Sequence, residues 1–453
     1  MSEAATSESP SRALAPARVS VRTLEIDDPG DLLALLPDGG PDTLVWLRRD
    51  EGMVAWGEAA RIDTRGEGRM LTADARLREL AAASTVVDEV NLPGTGLVAF
   101  GSFAFDDEDP SGGTLVVPRV LVGRRQTPGG VRAWVTLVDA AEGTDAGVGD
   151  DPGVTGALAG PRSPVREPRD VTWEPGAHSG EDWMARVADA VARIRRGDAA
   201  KIVLARDAVA VTSEPLDLRA LTTRFARAYP TTWTFAVDSL VGATPELLVR
   251  RERGLVASRV LAGTIRRTGN DEADLAHAAA LARSSKDLEE HELAVASLAE
   301  ALEPFVASAN VPEVPSVLHL PNVMHLATDV TAVLAPGDAS DAPDRAGALP
   351  SVLRLAAALH PTAAVGGTPT RVAVSLVREI EGMPRGRYAG PVGWLGADGD
   401  GEFCIALRCG RIESDDPRRI RVFAGCGIVA ASDPQSELDE TEAKFEPVRQ
   451  ALR

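Results

Sequence analysis

The 453-residue sequence predicts an α+β protein, an α/β sandwich of two large antiparallel sheets with helices packed outside them. Seven short apolar runs form two groups, and within each group the runs are joined by turns rather than by helices, which favours antiparallel pairing of strands. These runs span residues 201–211, 231–237, 240–250, 254–261, 390–396, 402–412 and 419–429. Segments with helical periodicity lie outside these two groups and supply the helical part of the fold class.

Three segments have the residue spacing of amphipathic helices. The first, 179–196, places its apolar residues on one face and ends at Gly197. The second begins at Lys286. The third has Asp433 as its predicted N-cap and Pro434 at its first helical position, which is where proline is favoured.

Two of these helices carry a pair of carboxylates at a spacing of three residues. Asp287 and Glu290 form the first pair, and Glu437 and Glu440 form the second. Residues three apart project from one helix face, so two facing helices could hold a hard cation such as Mg²⁺ between them. Acidic residues on helices are more often solvated surface, so spacing alone leaves both interpretations open.

The charge of the chain excludes some classes of function. The formal net charge is −19, and no basic patch stands out in the sequence. An acidic chain without such a patch is not expected to bind nucleic acid or an anionic membrane. An anionic metabolite would need positive charge concentrated at one site, or a metal ion.

Three features predict a cytoplasmic location. Residues 1–17 lack the charged and apolar regions of a signal peptide, and no apolar stretch approaches the length that spans a bilayer. The three cysteines, Cys404, Cys409 and Cys426, lack the spacing of metal ligands. Their odd number fits a reduced, intracellular chain.

Lysine is rare in this sequence. Lys201, Lys286 and Lys444 are the only three among 48 cationic side chains, and the others are arginine. Lysine can act as a general base when burial lowers its pKa, whereas arginine stays protonated. Each lysine also lies in a segment that carries other candidate site residues.

Nine motifs occur in a fixed order along the second part of the chain. They are KIVLARD (201–207), TPELLVR (244–250), SRVLAGTIRR (258–267), KDLEEHELAV (286–295), VMHLATDV (323–330), LHPTAAVGGTP (359–369), RGRYAGPVGW (385–394), IALRCG (405–410) and AGCGIVAASDPQSELDETEAK (424–444). Together they resemble the chorismate-utilising enzymes, which include isochorismate synthases, salicylate synthases, anthranilate synthase large subunits and aminodeoxychorismate synthases. This resemblance implies one α/β body with two large antiparallel sheets and a buried active site.

The resemblance also implies a division of the chain. Residues 179–453 would form the chorismate-binding catalytic region. Residues 18–175 match more weakly and would form a supporting part of the same α/β body, by analogy alone. The expected ligand is the small molecule chorismate, and the protein is expected to be a monomer without an obligatory protein partner.

A Mg²⁺ ion is implied by the same resemblance, bridging the two acidic helices and the C1 carboxylate of chorismate. Glu290 and Glu440 would be direct ligands, while Asp287 and Glu437 would act through water.

Substrate contacts are implied by matching motif positions. Arg408 and Lys444 would contact substrate carboxylates, Tyr388 would supply a hydroxyl, and His325 would line the ring pocket. The full set comprises Gly263, Thr264, His325, Ala364, Tyr388, Arg408, Gly425, Gly427 and Lys444. In contrast, His291 and His319 are interpreted as packing or surface residues.

Three positions discriminate among the reactions of the family. Lys201 matches the lysine of the water-adding members, where it would accept a proton from the water that attacks C2. Ala262 occupies the position where aminodeoxychorismate synthases have a nucleophilic lysine. Glu246 would be the general acid that protonates the departing C4 hydroxyl, which requires a raised pKa. This set predicts the reversible conversion of chorismate to isochorismate.

Ala364 bears on the fate of isochorismate. Salicylate synthases and the aminating enzymes resemble one another in having Thr at this position, so Ala364 favours release of isochorismate. The alternatives are a salicylate synthase, which continues to pyruvate elimination, and a subunit coupled to an amidotransferase. A chorismate-binding protein without activity is a third alternative, which the intact catalytic positions disfavour.

Overall fold

The computed structural model describes residues 18–140, 158, 160–336 and 348–453. Residues 1–17, which were predicted not to form a signal peptide, lie outside these ranges. The strands are β1 (Val19–Ile26), β2 (Leu44–Arg48), β3 (Glu51–Thr64), β4 (Thr85–Asp88), β5 (Val98–Phe103), β6 (Gly113–Thr127), β7 (Gly130–Ala140), β8 (Thr172–Pro175), β9 (Lys201–Val211), β10 (Trp233–Val237), β11 (Leu240–Thr244), β12 (Leu247–Glu252), β13 (Leu255–Arg266), β14 (Val306–Asn310), β15 (Ser316–His319), β16 (Val323–Leu334), β17 (Gly367–Thr368), β18 (Pro391–Gly396), β19 (Gly401–Ile405), β20 (Cys409–Ile412) and β21 (Arg419–Ile428). The helices are α1 (Arg69–Ala83), α2 (Gly180–Arg195), α3 (Leu218–Ala228), α4 (Asp271–Leu281), α5 (Ser285–Leu302), α6 (Val352–Leu359), α7 (Thr370–Glu381) and α8 (Pro434–Leu452).

The strands form one hydrogen-bonded network with two arms that diverge at β6. One edge of β6 pairs with β3, and the other edge pairs with β5 and then with β7. The first arm continues through β3, β2, β10, β11, β20, β21 and β9. The second arm continues through β5, β18, β19, β12, β13 and β16. The predicted fold class of large antiparallel sheets with helices is confirmed, and the two sheets are these two arms.

The N-terminal strands are built into both arms. Strand β2 pairs with β10, and strand β5 pairs with β18, so each arm contains strands from both parts of the chain. One hydrophobic cluster likewise contains buried side chains from both parts, for example Phe100 and Phe403. The predicted boundary between 18–175 and 179–453 stays a prediction.

Two strands predicted as continuous are interrupted in the structure. The run 240–250 forms β11 and β12, with a break at Pro245 and Glu246. The run 402–412 forms β19 and β20, with a break at 406–408. Proline has no N–H for a ladder hydrogen bond, and Arg408 has a φ of 50°, which does not continue a strand. Both breaks carry a predicted site residue.

The three predicted helices form as α2, α5 and α8. Asp433 accepts a hydrogen bond from the Ser436 N–H as the N-cap of α8, and Pro434 is its first residue, as predicted. At the start of α5, the Ser284 hydroxyl caps the helix by accepting the N–H of Asp287. Among the described residues, no helix is long and apolar enough to cross a membrane.

Candidate active site

All fifteen site residues predicted from the sequence line a single cavity. The cavity lies where β9 and β21 meet helices α5 and α8 and the breaks after β11 and β19. Its lining includes Lys201, Glu246, Gly263, Thr264, Asp287, Glu290, His325, Ala364, Tyr388, Arg408, Gly425, Gly427, Glu437, Glu440 and Lys444. The structure therefore brings these residues together, while the role of each stays a prediction.

Lys201 begins β9 and is 7% exposed. Its Nζ lies 2.6 Å from Glu290 Oε1 on α5, which forms a buried ion pair. Gly427, on the neighbouring strand β21, makes room for this pair. A Cβ at residue 427 would lie 2.7 Å from Lys201 Cε and 3.4 Å from Glu290 Oε1. A side chain at residue 427 would therefore displace the Lys201 side chain from its present position.

Glu246 lies in the break between β11 and β12. Its backbone is held by the Ile405 N–H, which donates to the Glu246 carbonyl at 3.1 Å. Glu246 is only 5% exposed. Burial raises the pKa of its carboxyl group to about 8, although the positive charges of Lys201, Arg408 and Lys444 act in the opposite direction. At neutral pH the carboxyl group is therefore mostly protonated, as a general acid must be.

Arg408 lies in the second break and extends into the same cavity. Its guanidinium has no hydrogen-bond acceptor or ion-pair partner among the described residues, in contrast to most buried cations of this chain. Burial lowers the pKa of Arg408, since the charge is removed from water. A partly buried guanidinium without a protein carboxylate fits the recognition of an anionic ligand.

Lys444 and Glu440 form a second ion pair one turn apart on α8. The Lys444 Nζ lies 2.6 Å from Glu440 Oε1 and donates to the Gly425 carbonyl at 2.8 Å. Burial raises the pKa of Glu440, but Lys444, followed by Arg408, lowers it, and the net shift is downward. Glu440 is therefore a carboxylate at neutral pH.

His325 on β16 is neutral at physiological pH. Burial, together with Arg408 and Lys444, lowers its pKa to about 3. The Nδ1 atom lies 3.1 Å from Thr264 Oγ1 and 3.3 Å from the Gly263 carbonyl, while Nε2 is buried with no protein partner. The histidine therefore has one ring nitrogen left for a ligand in the cavity.

A bulge in β13 shapes the wall beside His325. The register of β13 against β16 shifts between Ala262 and Thr264, and the intervening Gly263 has a φ of 71°. A Cβ at residue 263 would lie 3.0 Å from the Asp287 Cβ. Glycine therefore permits both the bulge and the close approach of α5.

Tyr388 supplies a buried phenol to the cavity. Its ring stacks on Phe423, with centroids 5.1 Å apart, and burial raises its pKa. The phenol therefore keeps its proton and can donate a hydrogen bond.

The four carboxylates of α5 and α8 fit a Mg²⁺ ion that shares its coordination with a ligand. All are hard oxygen donors that face one cavity, and Glu290 and Glu440 each balance a lysine ammonium. In the part of the chain that the structure describes, no three acidic, His or Cys side chains converge as a closed metal site. Mg²⁺ usually keeps several waters and takes one or two carboxylates, so a closed site is not required.

Sequence reasoning missed Arg385 and Phe423, which also line the cavity. Arg385 begins the motif RGRYAG, so its position carried a signal, but nothing in the sequence gives its contacts. The two histidines that were interpreted as packing or surface residues do not line the cavity. His291 is buried and bonded to Thr328 Oγ1 at 2.7 Å, and His319 is exposed.

Comparison with known proteins identifies the family. The family model for "chorismate binding enzyme" matches residues 12–453, including the N-terminal part whose motifs are weaker. The chain therefore belongs to the chorismate-binding enzyme family.

Two relatives with functional names cover 95% and 56% of the chain. The chain is 34% identical over 451 residues to the salicylate biosynthesis isochorismate synthase of Pseudomonas aeruginosa. That alignment covers 95% of this chain and 89% of the other protein. The chain is also 40% identical over 263 residues to a putative isochorismate synthase MenF of Mycobacterium tuberculosis. That alignment covers 56% of this chain and 67% of the other protein.

Solved structures agree with the fold. A putative 2,3-dihydroxybenzoate-specific isochorismate synthase, DhbC, from Bacillus anthracis superposes with a TM-score of 0.72 at 29% identity. That match covers 93% of this chain and 98% of the other.

Proposed function

We propose that this chain is an isochorismate synthase, an isomerase that converts chorismate to isochorismate by adding water at C2 and removing the C4 hydroxyl. The observation that carries the proposal is the presence of Lys201 in one cavity with Glu246, a buried carboxyl group whose pKa is raised to about 8. A proton acceptor and a proton donor are the two groups that a hydroxyl transposition needs. The names of the relatives support the same activity.

The reaction balances with the residues of the cavity. Lys201 Nζ, in its neutral amine form, accepts a proton from a water molecule whose oxygen bonds to C2. The two ring double bonds shift, the C4–O bond breaks, and Glu246 donates its proton to the departing hydroxyl, which leaves as water. One water enters and one leaves, and the net change is an isomerisation once Lys201 returns its proton to solvent and Glu246 takes one up. In the reverse direction Glu246 is the base and Lys201 is the acid.

Positive groups at the cavity wall bind the carboxylates of the substrate. Arg408 has its guanidinium unpaired, so a substrate carboxylate would be its anionic partner. Lys444 is oriented by Glu440 and the Gly425 carbonyl, and it presents its ammonium to the same cavity. These contacts would orient the ring between the base and the acid.

Mg²⁺ is the proposed cofactor. Glu290 and Glu440 would hold it directly, with Asp287 and Glu437 acting through water. The bound ion would supply positive charge that neutralises a substrate carboxylate. The proton transfers would still be made by Lys201 and Glu246.

Release of isochorismate is proposed over its conversion to salicylate. Ala364 lines the cavity with a methyl group, so it offers no hydroxyl to the bound intermediate. The alternative is a salicylate synthase, which would share the first step.

The test is an incubation of the purified protein with chorismate and Mg²⁺, followed by chromatographic separation of the products. Isochorismate alone is the expected product. Salicylate with pyruvate would favour the salicylate synthase, and the absence of any turnover would contradict both. The cytoplasmic location and the monomeric state stay predictions, and light scattering of the purified protein tests the monomer.

A further inference from the structure

One edge of strand β9 is covered by β17 at its first two residues and by β8 from Ala208 to Val211, and among the described residues no strand covers the part between them. On this edge the short strand β17 pairs with Lys201 and Ile202, and the Val203 N–H donates to the Gly366 carbonyl at 3.2 Å. The chain then turns away from the sheet, which places Ala364 at the cavity. This departure leaves the Val203 carbonyl and the Ala205 N–H without a strand partner.

Two side chains satisfy these backbone groups. Arg385 Nη2 donates to the Val203 carbonyl at 2.6 Å, and the Ala205 N–H donates to Glu381 Oε1 at 2.6 Å. Residues two apart in a strand present their hydrogen-bonding groups to the same side, so the pair occupies the place of a neighbouring strand. The ion pair thus completes the sheet edge where the loop has left it.

Arg385 also holds the loop itself. Its Nη1 donates to the Val365 carbonyl at 3.0 Å, one residue from Ala364. The guanidinium is fixed by Glu381, with Nη2 to Oε1 at 2.6 Å, and lies over the ring of Phe105 at 4.2 Å. One rigid group therefore spans the strand that begins at Lys201 and the loop that carries Ala364.

We propose that Arg385, fixed by Glu381, is a positioning residue that sets the distance between the base strand β9 and the loop 362–366 that carries Ala364. The proposal rests on the proposed function, because its consequence is the alignment of Lys201 with the ring of the substrate. Planar guanidinium geometry is needed to reach two divergent carbonyls and one carboxylate at once. A lysine provides one point of attachment and cannot bridge them.

A second buried ion pair provides a matched control. Arg219 and Asp217 are joined at 2.7 Å, and their side chains are 4% and 0% exposed, against 3% and 2% for Arg385 and Glu381. Arg219 also donates to backbone carbonyls, at Ser163 and Pro164. It does not belong to the cavity lining. Arg219→Lys therefore removes the same kind of interaction at a distance from the chemistry.

The experiment compares kcat, KM, thermal stability and products for wild type, Arg385→Lys, Glu381→Gln and Arg219→Lys, each with chorismate and Mg²⁺. For Arg385→Lys we expect kcat to fall roughly 10- to 100-fold, since small misplacements of reacting groups have effects of this size. Its KM should change much less than kcat, because the unpaired Arg408 is retained. Glu381→Gln should lower kcat in the same direction, and Arg219→Lys should lose stability but keep kcat.

The outcomes separate positioning from general stability. Unchanged kcat in folded Arg385→Lys, or an equal loss of kcat in Arg219→Lys, would overturn the proposal. Failure of both Arg385→Lys and Glu381→Gln to fold, while Arg219→Lys folds, would assign the pair to folding and also contradict it. A wild-type protein that makes no isochorismate would instead count against the proposed function.

Discussion

Lys201 and Glu290 form a buried ion pair, with Nζ 2.6 Å from Oε1, that joins the predicted base to a predicted metal ligand. Lys444 and Glu440 repeat this arrangement at the same distance on α8. The two lysines differ in their other contacts, because Lys444 also donates to the Gly425 carbonyl. The Lys201 Nζ makes no hydrogen bond to the described part of the chain other than the one to Glu290.

The same substitution at these two lysines should have different effects. Lys201→Arg keeps the positive charge but removes the ability to accept a proton, so we expect kcat to fall about 1,000-fold or more while the fold is kept. Lys444→Arg keeps the charge that binds the substrate, so its main effect should be a higher KM. Steady-state kinetics and circular dichroism test both variants. Near-normal kcat in Lys201→Arg would remove the base assignment.

The pH dependence of the forward reaction should report Glu246. Its pKa of about 8 means that the acid loses its proton as the pH rises through that value. We therefore expect kcat/KM for chorismate to decline above about pH 8, since this ratio reports the free enzyme. In Glu246→Gln, turnover should be nearly abolished because the amide cannot supply the proton. A wild-type profile that stays flat to about pH 10 would contradict the general-acid role.

Glu246 should also make the stability of the fold depend on pH. Its folded pKa of about 8 lies above the ordinary value of 4.5, so the folded state binds the proton more tightly than the unfolded state. The resulting stability is fully present below about pH 4.5 and is lost as the pH rises through about 8, a total of roughly 5 kcal/mol. The Glu246→Gln variant should not lose stability in this way, because the amide does not ionise.

Urea unfolding of the two proteins tests this effect. We expect the free energy of unfolding of Glu246→Gln, relative to wild type, to increase by roughly 4 kcal/mol between about pH 4.5 and pH 8.5. All other titrating groups are common to both proteins, so the difference isolates residue 246. A difference that does not change with pH would show that Glu246 is not protonated in the folded state.

The cavity could be assembled from the sequence because its residues lie in ordered motifs and on helices with clear periodicity. Asp287 and Glu290 are an example, since three-residue spacing on a helix fixes one face. The breaks at Glu246 and Arg408 could not be predicted in the same way. Apolar residues flank both breaks, and only Pro245 signals an interruption.

The contacts of Arg385 and Lys201 depend on tertiary structure. Arg385 bonds to residues that are 20 and 182 positions away in the chain, and Lys201 pairs with a residue 89 positions away. Local periodicity carries no information about such partners. The sequence could therefore indicate that these residue types belong to the site, but not which groups orient them.

Removal of the divalent ion should stop turnover. We expect EDTA to abolish product formation and excess Mg²⁺ to restore it, because Glu290 and Glu440 would share the ion with the substrate. Glu290→Gln and Glu440→Gln should raise the Mg²⁺ concentration needed for half-maximal rate, by about 10-fold or more. Glu442→Gln is the matched control, since Glu442 is on the same helix but pairs with Arg449 at 2.7 Å. Full activity in EDTA would refute the metal role.

Two glycines of β21 should respond differently to a single added methyl group. A Cβ at residue 427 would lie 2.7 Å from the Lys201 side chain, which can shift, so Gly427→Ala should fold and should lose kcat. A Cβ at residue 425 would lie 2.6 Å from the Leu204 carbonyl, which is backbone, so Gly425→Ala should destabilise the pairing of β21 with β9. That cost should be about 1–3 kcal/mol, as for other overpacked sites. Thermal melts and kinetics of both variants test the contrast. A Gly427→Ala protein with normal kcat would show that the position of the Lys201 side chain does not limit the reaction.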